Sequence, residues 1–173
     1  PHRRIGTSFP FPGVGYGGSC FPKDTQALLK SAEDKGYDFK ILRAVEAVNK
    51  RQKERLVDKI EANLKDLKGK TIAIWGLAFK PRTDDMREAP AIPIIERLLA
   101  SGVTVAAYDP AAAPVAPGLF ADRITLSCQS RDAPTAAAPL APVNRLTESR
   151  APAFHHTSPP TTWLGVLPAP PPP

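Results

Sequence analysis

The feature that most constrains this chain is a glycine-rich segment that ends in a cysteine. Residues 13–18 contain four glycines, Cys20 follows them, and Lys23 and Asp24 come next. Glycine tolerates positive φ and lets other groups approach the backbone, so this composition predicts a loop. At the end of such a loop and the start of a helix, the helix N-terminal amides and a nearby ammonium can stabilise the thiolate form of a cysteine. The alternative is that Cys20 is a small buried hydrophobic residue; the glycines and the Lys-Asp pair favour the reactive thiolate.

Three glycines of this loop also match the spacing of a dinucleotide-binding turn. Gly13, Gly15 and Gly18 spell G-x-G-x-x-G, a motif that acts only between a strand and a helix. Pro10 and Pro12 lie immediately before it and leave no room for a strand. The loop is therefore not predicted to be a Rossmann turn.

The rest of the chain up to about residue 108 predicts alternating helices and strands. Apolar spacing and glycine stop signals predict helices over 24–35, 40–67 and 90–100, and short apolar runs predict strands over 71–75 and 103–108. A strand, a helix and a second strand at this spacing form a βαβ unit with a parallel pair. The fold class is α/β: a helical region with a long helix, then a truncated Rossmann-like parallel sheet.

The second helix is long for a domain of this size, at about 40 Å for 28 residues. Its apolar positions recur at near-helical spacing on both sides of a gap at residues 49–55 that is polar all round, so more apolar surface is expected than a small domain can cover. We expect the helix to self-associate into a homodimer, in which glycine at Val48 or Leu56 would weaken the contact. The apolar set is Ile41, Leu42, Val45, Val48, Leu56, Val57, Ile60, Leu64 and Leu67.

Charge and cysteine content exclude several classes of function. The net charge is +6, but the basic residues of 50–70 alternate with acidic ones, which indicates a solvated helix face and no nucleic-acid partner. A mild basic excess suits a small anionic ligand. The chain has no apolar run near 18 residues, so no membrane partner and no export are expected. Two distant cysteines indicate no disulfide framework and no metal site, and they suit the reduced cytoplasm.

Composition changes abruptly near residue 127. Every lysine lies at or before Lys80, and the last 47 residues are rich in proline and alanine. Such a segment buries too little apolar surface to offset its ordering entropy. We expect residues 127–173 to be disordered, without regular sheet, and to leave the 103–108 strand with an unpaired edge. A shifted reading frame is the favoured origin of this tail, and a native linker is the alternative.

Two blocks carry a resemblance to a known family. The first block consists of residues 4–6 (Arg-Ile-Gly) and 12–24 (Pro-Gly-Val-Gly-Tyr-Gly-Gly-Ser-Cys-Phe-Pro-Lys-Asp). The second block is residues 76–88, which begin with Gly-Leu-Ala-Phe-Lys-Pro and end with Thr-Asp-Asp-Met-Arg-Glu. Both blocks resemble the UDP-glucose/GDP-mannose dehydrogenases. The resemblance covers about residues 1–126. It implies an enzyme that uses NAD to oxidise a sugar alcohol to a carboxylate, here UDP-glucose to UDP-glucuronate for polysaccharide biosynthesis. GDP-mannose and N-acetylated UDP-hexosamines are alternative substrates.

The resemblance also implies roles for individual residues. Cys20 is the nucleophile that holds the aldehyde as a thiohemiacetal and then a thioester, and Asp24 helps to activate water or supports the base. Asp24 is also a candidate N-cap. Lys23 and Arg87 contact NAD, and Arg4 reaches the substrate bound to the partner subunit. The positions implied to bind the nucleotide sugar are Phe11, Pro12, Gly13, Val14, Gly15, Tyr16, Gly17, Phe79 and Lys80.

The resemblance divides the chain into three parts. Residues 1–67 match the end of a central helical and dimerisation domain, 68–126 match an incomplete UDP-sugar-binding domain, and 127–173 match nothing. The chain begins with proline, and the family's N-terminal dinucleotide domain and its catalytic lysine and asparagine are not matched, so a fragment that is inactive alone is expected. The rival from another class is a non-catalytic dimerisation module whose proline-rich tail binds Pro-recognition domains.

Overall fold

A computed structural model describes residues 13–127 and the backbone of 163–167, and it shows helices packed beside a small, mainly parallel sheet. Three helices have at least ten residues: α1 (Phe21–Asp34), α2 (Lys40–Leu64) and α3 (Ala91–Ala100). A short helix, α4 (Ala116–Phe120), leads into a 3-10 turn. The strands are β1 (Thr71–Trp75), β2 (Thr104–Tyr108), β3 (Ile124–Leu126) and β4 (Trp163–Leu167).

The sheet has the strand order β3-β2-β1-β4. β1 pairs with β2 in parallel, with Thr71 opposite Thr104 and Trp75 opposite Tyr108. β2 also pairs in parallel with β3, and β4 runs antiparallel to β1. The predicted βαβ unit is therefore confirmed, and the fold class is the α/β, Rossmann-like arrangement that the sequence predicts.

The core lies between the sheet and helices α2 and α3. β1 is buried at its three central positions, as expected for a strand covered on both faces. α3 contributes Ile94, Ile95 and Leu98, which recur on one face of the helix and are almost completely buried. Phe120 of α4 is fully buried as well, so the segment that leads into β3 packs into the same core.

The two halves of α2 differ in exposure. Leu56, Val57 and Ile60 in the second half are buried in the core. In the first half, 77% of Ile41 and 53% of Val48 remain exposed. Because Leu56 is buried in this core, glycine there would destabilise the fold itself, and its effect on a dimer stays a prediction. The exposed stripe is confined to the first half of the helix.

Two expected helix boundaries and one expected sheet edge need correction. α2 ends at Leu64 instead of residue 67, because Lys65 takes a φ of 57° and turns the chain; Leu67 is buried in the following loop. α1 begins three residues earlier than expected, at Phe21, with Pro22 in the first turn, where a missing N–H costs nothing. β2 has no unpaired edge, since β3 covers the side away from β1.

The expectation of no regular sheet after residue 127 is also wrong at one place. Residues 163–167 form β4, which pairs along the whole of β1 from Leu167 opposite Thr71 to Trp163 opposite Trp75. This run, Trp-Leu-Gly-Val-Leu, contains no proline, so no N–H that the pairing with the free edge of β1 requires is missing. Residues 128–162 and 168–173 lie outside the described part of the chain. Among the described residues, no helix is both long and apolar enough to cross a membrane.

Candidate active site

Cys20 lies at the junction of the glycine loop and α1. The loop, residues 13–20, ends with Cys20 as the N-cap residue of the helix. The thiol is free and exposed, with Sγ 3.6 Å from Ser19 Oγ, and the backbone N–H of Asp24 donates to the Cys20 carbonyl at 2.8 Å. The predicted position at a helix N-terminus is confirmed, and the thiol is accessible to a ligand.

Lys23 and Asp24 form an exposed ion pair in the first turn of α1. Lys23 Nζ lies 3.0 Å from Asp24 Oδ1, and this hydrogen bond raises the pKa of the Lys23 ammonium. Asp24 is not the N-cap that the sequence suggested, because the helix begins three residues before it and no side chain caps the first turn. Both charges lie within one turn of the thiol.

The glycines of the loop are needed for close packing against a second segment, residues 79–89. A Cβ at Gly17 would lie 2.3 Å from the Glu88 carbonyl oxygen, and one at Gly18 would lie 2.8 Å from the Phe79 ring. The Gly18 N–H also donates to the Arg87 carbonyl at 2.9 Å. The loop can therefore lie against residues 79–89 only because these two positions carry no side chain.

The opposite side of the loop rests on α2. The Asn49 side chain accepts from the Tyr16 N–H at 2.8 Å and donates to the Tyr16 carbonyl at 3.2 Å, and it is buried. Gln52 donates to the Gly13 carbonyl at 2.7 Å. Gly15 has a φ of 112°, and a Cβ there would meet Asn49 and Lys53. We call Glu46, Asn49, Gln52 and Lys53 the α2 platform.

Sequence reasoning missed the α2 platform. The gap at residues 49–55 in the apolar pattern of the long helix reads as polar all round, whereas Asn49 is buried and Lys53 donates to the Glu88 carbonyl at 3.1 Å. One signal was present: Asn49, Gln52 and Lys53 follow each other at spacings of three and four residues, which places them on one helix face. A polar stripe within an apolar face predicts a polar partner.

Phe79 and Lys80 lie just beyond the carboxyl end of β1, the edge at which parallel sheets bind ligands. Lys80 Nζ lies 5.0 Å above the centre of the Phe79 ring. The turn that carries both is held by Asp109, which follows β2 and accepts the N–H groups of Leu77 at 2.8 Å and Ala78 at 3.1 Å. Contact of the Phe79 ring with Gly18 joins this edge of the sheet to the cysteine loop.

Arg87 is oriented by Asp85. Its Nε donates to Asp85 Oδ1 at 2.9 Å and its Nη2 to Asp85 Oδ2 at 2.7 Å, and these bonds lower the pKa of the Asp85 carboxyl to about 2. They occupy one edge of an exposed guanidinium. The backbone N–H of Gly18, two residues before Cys20, donates to the Arg87 carbonyl at 2.9 Å, and Lys23 lies in the first turn of α1 after Cys20. Cys20, Lys23 and Arg87 thus belong to neighbouring segments of one site.

The structure places most, but not all, of the predicted site residues. Val14 is partly buried against the hydrophobic core, while its glycine neighbours pack as described above. Arg4, Phe11 and Pro12 lie outside the described residues. Within the described ranges, no group of three or more His, Cys, Asp or Glu side chains is placed to hold a metal ion.

The cysteine loop packs beside the carboxyl edge of a parallel sheet, an arrangement typical of nucleotide-binding α/β folds. Two sequence profiles of one family match the chain: the central domain of the UDP-glucose/GDP-mannose dehydrogenase family over residues 1–51, and its UDP binding domain over residues 73–141. The chain belongs to this family. The second match ends beyond residue 126, where the resemblance seen in the sequence was taken to stop.

Similar proteins agree with this assignment. The chain is 59% identical over 111 residues to UDP-glucose 6-dehydrogenase of Pseudomonas aeruginosa, covering 64% of this chain and 24% of the relative. It is 48% identical over 121 residues to UDP-glucose 6-dehydrogenase TuaD of Bacillus subtilis, covering 70% and 26%. A UDP-glucose dehydrogenase structure from Pyrobaculum islandicum superposes with a TM-score of 0.68 at 37% identity, covering 70% of this chain and 28% of that one. The chain spans about a quarter of the length of the curated relatives it matches.

Proposed function

We propose that the chain supplies the cysteine loop and the nucleotide-sugar domain of an NAD-dependent dehydrogenase that oxidises UDP-glucose to UDP-glucuronate. The observation that carries the proposal is the placement of Cys20, exposed at the start of α1 in a loop that packs on Phe79 and on the Arg87 backbone. The two curated relatives described above are UDP-glucose 6-dehydrogenases. In this proposal residues 1–67 act as the central part and 68–126 as the UDP-sugar-binding part.

The chemistry assigned to Cys20 follows from the reactivity of a thiolate. The sulfur attacks the carbon of the sugar aldehyde, and a C–S bond forms as a thiohemiacetal. NAD, when bound, supplies the oxidising power by accepting a hydride in each of the two oxidations. Removal of the hydride from the thiohemiacetal leaves a thioester on Cys20. Water then attacks the carbonyl carbon, the C–S bond breaks, and the carboxylate and the thiol are released, with Asp24 as the nearby group that assists the water.

The remaining roles are assigned by position. Phe79 and Lys80 lie at the edge of the sheet where the nucleotide would bind, and residues 11–17 form the facing loop. Lys80 offers a point charge and Phe79 a flat apolar surface, both suited to a uridine diphosphate. Arg4 keeps its proposed role toward the substrate of a partner subunit.

Lys23 and Arg87 are the residues that would hold NAD. The fit rests on their exposure beside Cys20 and on the orientation of Arg87: its Nε edge is engaged with Asp85, which leaves Nη1 available to a second anion such as a diphosphate. The exposed free thiol is consistent with a reducing compartment, and the proposal places the enzyme in the cytoplasm.

A chimeric enzyme tests this function. The matching segment of the Pseudomonas aeruginosa relative is replaced by residues 1–126 of this chain, and NADH formation is measured with UDP-glucose, GDP-mannose and a UDP-N-acetylhexosamine. We expect two NADH per UDP-glucose and little with the other sugars. The purified 173-residue chain is the control, and we expect no NADH from it. A folded chimera that prefers GDP-mannose would overturn the substrate assignment, and turnover by the chain alone would overturn its proposed inactivity.

We further propose that the homodimer forms through the first half of α2. Ile41, Val45 and Val48 form a stripe at spacings of four and three residues on this helix, and Leu28 of α1 is a further exposed apolar side chain. All four side chains are more than a third exposed, and burying them against a second copy would remove apolar surface from water.

Replacing Ile41, Val45 and Val48 together with serine should therefore abolish self-association without unfolding the chain. Each exposed side chain loses about 1–2 kcal/mol of burial in a dimer and little in the monomer. Sedimentation velocity over a range of concentrations measures the change. The matched control is Val115→Ser, an exposed valine outside α2, which should leave the dimer intact. A wild-type chain that sediments as a monomer at high concentration would contradict the proposal.

A further inference from the structure

Glu46 connects the two segments that flank Cys20. Its Oε1 accepts hydrogen bonds from the Tyr16 hydroxyl at 2.7 Å and from the Thr25 hydroxyl at 2.6 Å. Tyr16 lies in the glycine loop, before the cysteine, and Thr25 lies in α1, after it. One carboxylate oxygen on α2 thus fixes the chain on both sides of Cys20.

The carboxylate is the strongest acceptor available to both hydroxyls. Thr25 is buried, and its hydroxyl also lies 2.9–3.0 Å from the carbonyls of Phe21 and Pro22, but it has one proton to donate, and the shortest contact is to Glu46. Burial and the hydrogen bond to Glu46 raise the pKa of Tyr16 to about 12, so this hydroxyl keeps its proton at neutral pH. Bonds to an ionised acceptor are shorter and stronger than bonds between neutral groups.

The hydrogen bonds of Glu46 to Tyr16 and Thr25 have a different role from the bonds that hold the loop backbone. Asn49 already holds the Tyr16 main chain through two hydrogen bonds, so the loop has an anchor that does not depend on Glu46. Glu46 instead fixes the position of the loop relative to the first turn of α1, because it binds a hydroxyl from each. The Tyr16 ring packs edge-on against Phe21, with ring centres 4.7 Å apart, and Phe21 is bonded directly to Cys20.

We propose that Glu46 is a positioning residue for Cys20: by binding the hydroxyls of Tyr16 and Thr25 it holds the thiol at the start of α1 beside Lys23 and Arg87. The proposal rests on the proposed function, in which Cys20 is the nucleophile. It predicts that the reactivity of Cys20 depends on Glu46, and that this dependence is transmitted through Tyr16 and Thr25.

The test measures alkylation of Cys20 by iodoacetamide in the full chain carrying Cys128→Ser, so that one thiol remains. Glu46→Gln and Thr25→Val should each slow alkylation by about 3- to 10-fold, the value of one or two hydrogen bonds. The double variant should be slowed by less than the product of the two single effects, because both changes act on the Glu46–Thr25 bond, which Thr25→Val removes and Glu46→Gln weakens. Thr25→Ser, which keeps the hydroxyl, should restore the wild-type rate. The matched control is Glu54→Gln, an exposed glutamate on the same helix, which should have no effect.

A second readout follows the Tyr16 phenol. In Glu46→Gln its pKa, measured by absorbance against a Tyr16→Phe reference, should fall below about 12 but stay above the ordinary value of about 10, because burial, the larger cause of the shift, is unchanged. Unchanged Cys20 alkylation in folded Glu46→Gln and Thr25→Val chains would overturn the proposal, and so would additive effects in the double variant or an equal effect of Glu54→Gln. The assay uses neither UDP-glucose nor NAD, so its failure leaves the dehydrogenase test standing, and the reverse also holds.

Discussion

Replacing Asp109 with alanine is expected to lower the free energy of unfolding by about 3–5 kcal/mol, because several buried N–H groups lose their acceptor together. Asp109 Oδ2 accepts from Leu77 and Ala78, and Oδ1 accepts from Ala111 and Ala112, each at 2.8–3.1 Å. Burial alone would raise the pKa of this carboxyl, but the four donors together hold it below its usual value. Chemical denaturation of the two proteins measures the loss.

The control and the pH dependence sharpen this prediction. Asp122→Ala, at an exposed position in the 3-10 turn, should change stability by less than about 0.5 kcal/mol. Because the folded-state pKa of Asp109 is lowered, its contribution is complete above the unfolded value of about 3.9 and is lost as the pH falls through the folded value. The difference between wild type and Asp109→Ala should therefore be constant near neutrality and shrink only in acid. A difference that grows in acid would contradict this account of Asp109.

The sheet and the long helix could be predicted from sequence because their signals are local. The run Thr71–Trp75 is apolar and bounded by glycines, and α3 repeats its apolar residues on one face. β3 was missed because three residues, Ile124–Leu126, are too short for a periodic signal. β4 was missed because its flanking prolines dominated the composition, although five residues without proline suffice to pair with a free strand edge.

Only the local part of the candidate site could be predicted from the sequence. The position of Cys20 at the start of a helix follows from glycines, a cysteine and the helical pattern after it. The α2 platform could not be deduced in this way, since the contacts of Asn49 and Glu46 with Tyr16 join residues 30 or more positions apart. Such contacts depend on the packing of α1 and the loop against α2, which no local pattern specifies. The Asp85–Arg87 pair, two residues apart, was within reach of sequence reasoning.

Replacing Cys20 with serine is expected to reduce acid formation by the chimeric enzyme by at least about a thousandfold. A serine hydroxyl at this exposed helix terminus is protonated at neutral pH, and no base lies in hydrogen-bonding contact with the Cys20 side chain among the described residues to activate it. The thiolate is the stronger nucleophile, and the thioester it forms is readily cleaved by water. Since the Cys20 side chain is exposed and its one side-chain hydrogen bond within the described part of the chain is the long contact with Ser19, the substitution should leave the fold unchanged.

The most direct test of the central claim therefore compares the rate of UDP-glucuronate formation by the chimera that carries Cys20 with the rate of the chimera that carries Cys20→Ser. Mass spectrometry measures the product at saturating UDP-glucose and NAD. Circular dichroism and the melting temperature verify that both proteins are folded. The proposed role predicts UDP-glucuronate from the Cys20 enzyme and only traces from Cys20→Ser, with Cys128→Ser as active as wild type in a chimera extended to residue 141. Undiminished UDP-glucuronate formation by folded Cys20→Ser would contradict the assignment of Cys20 as the nucleophile.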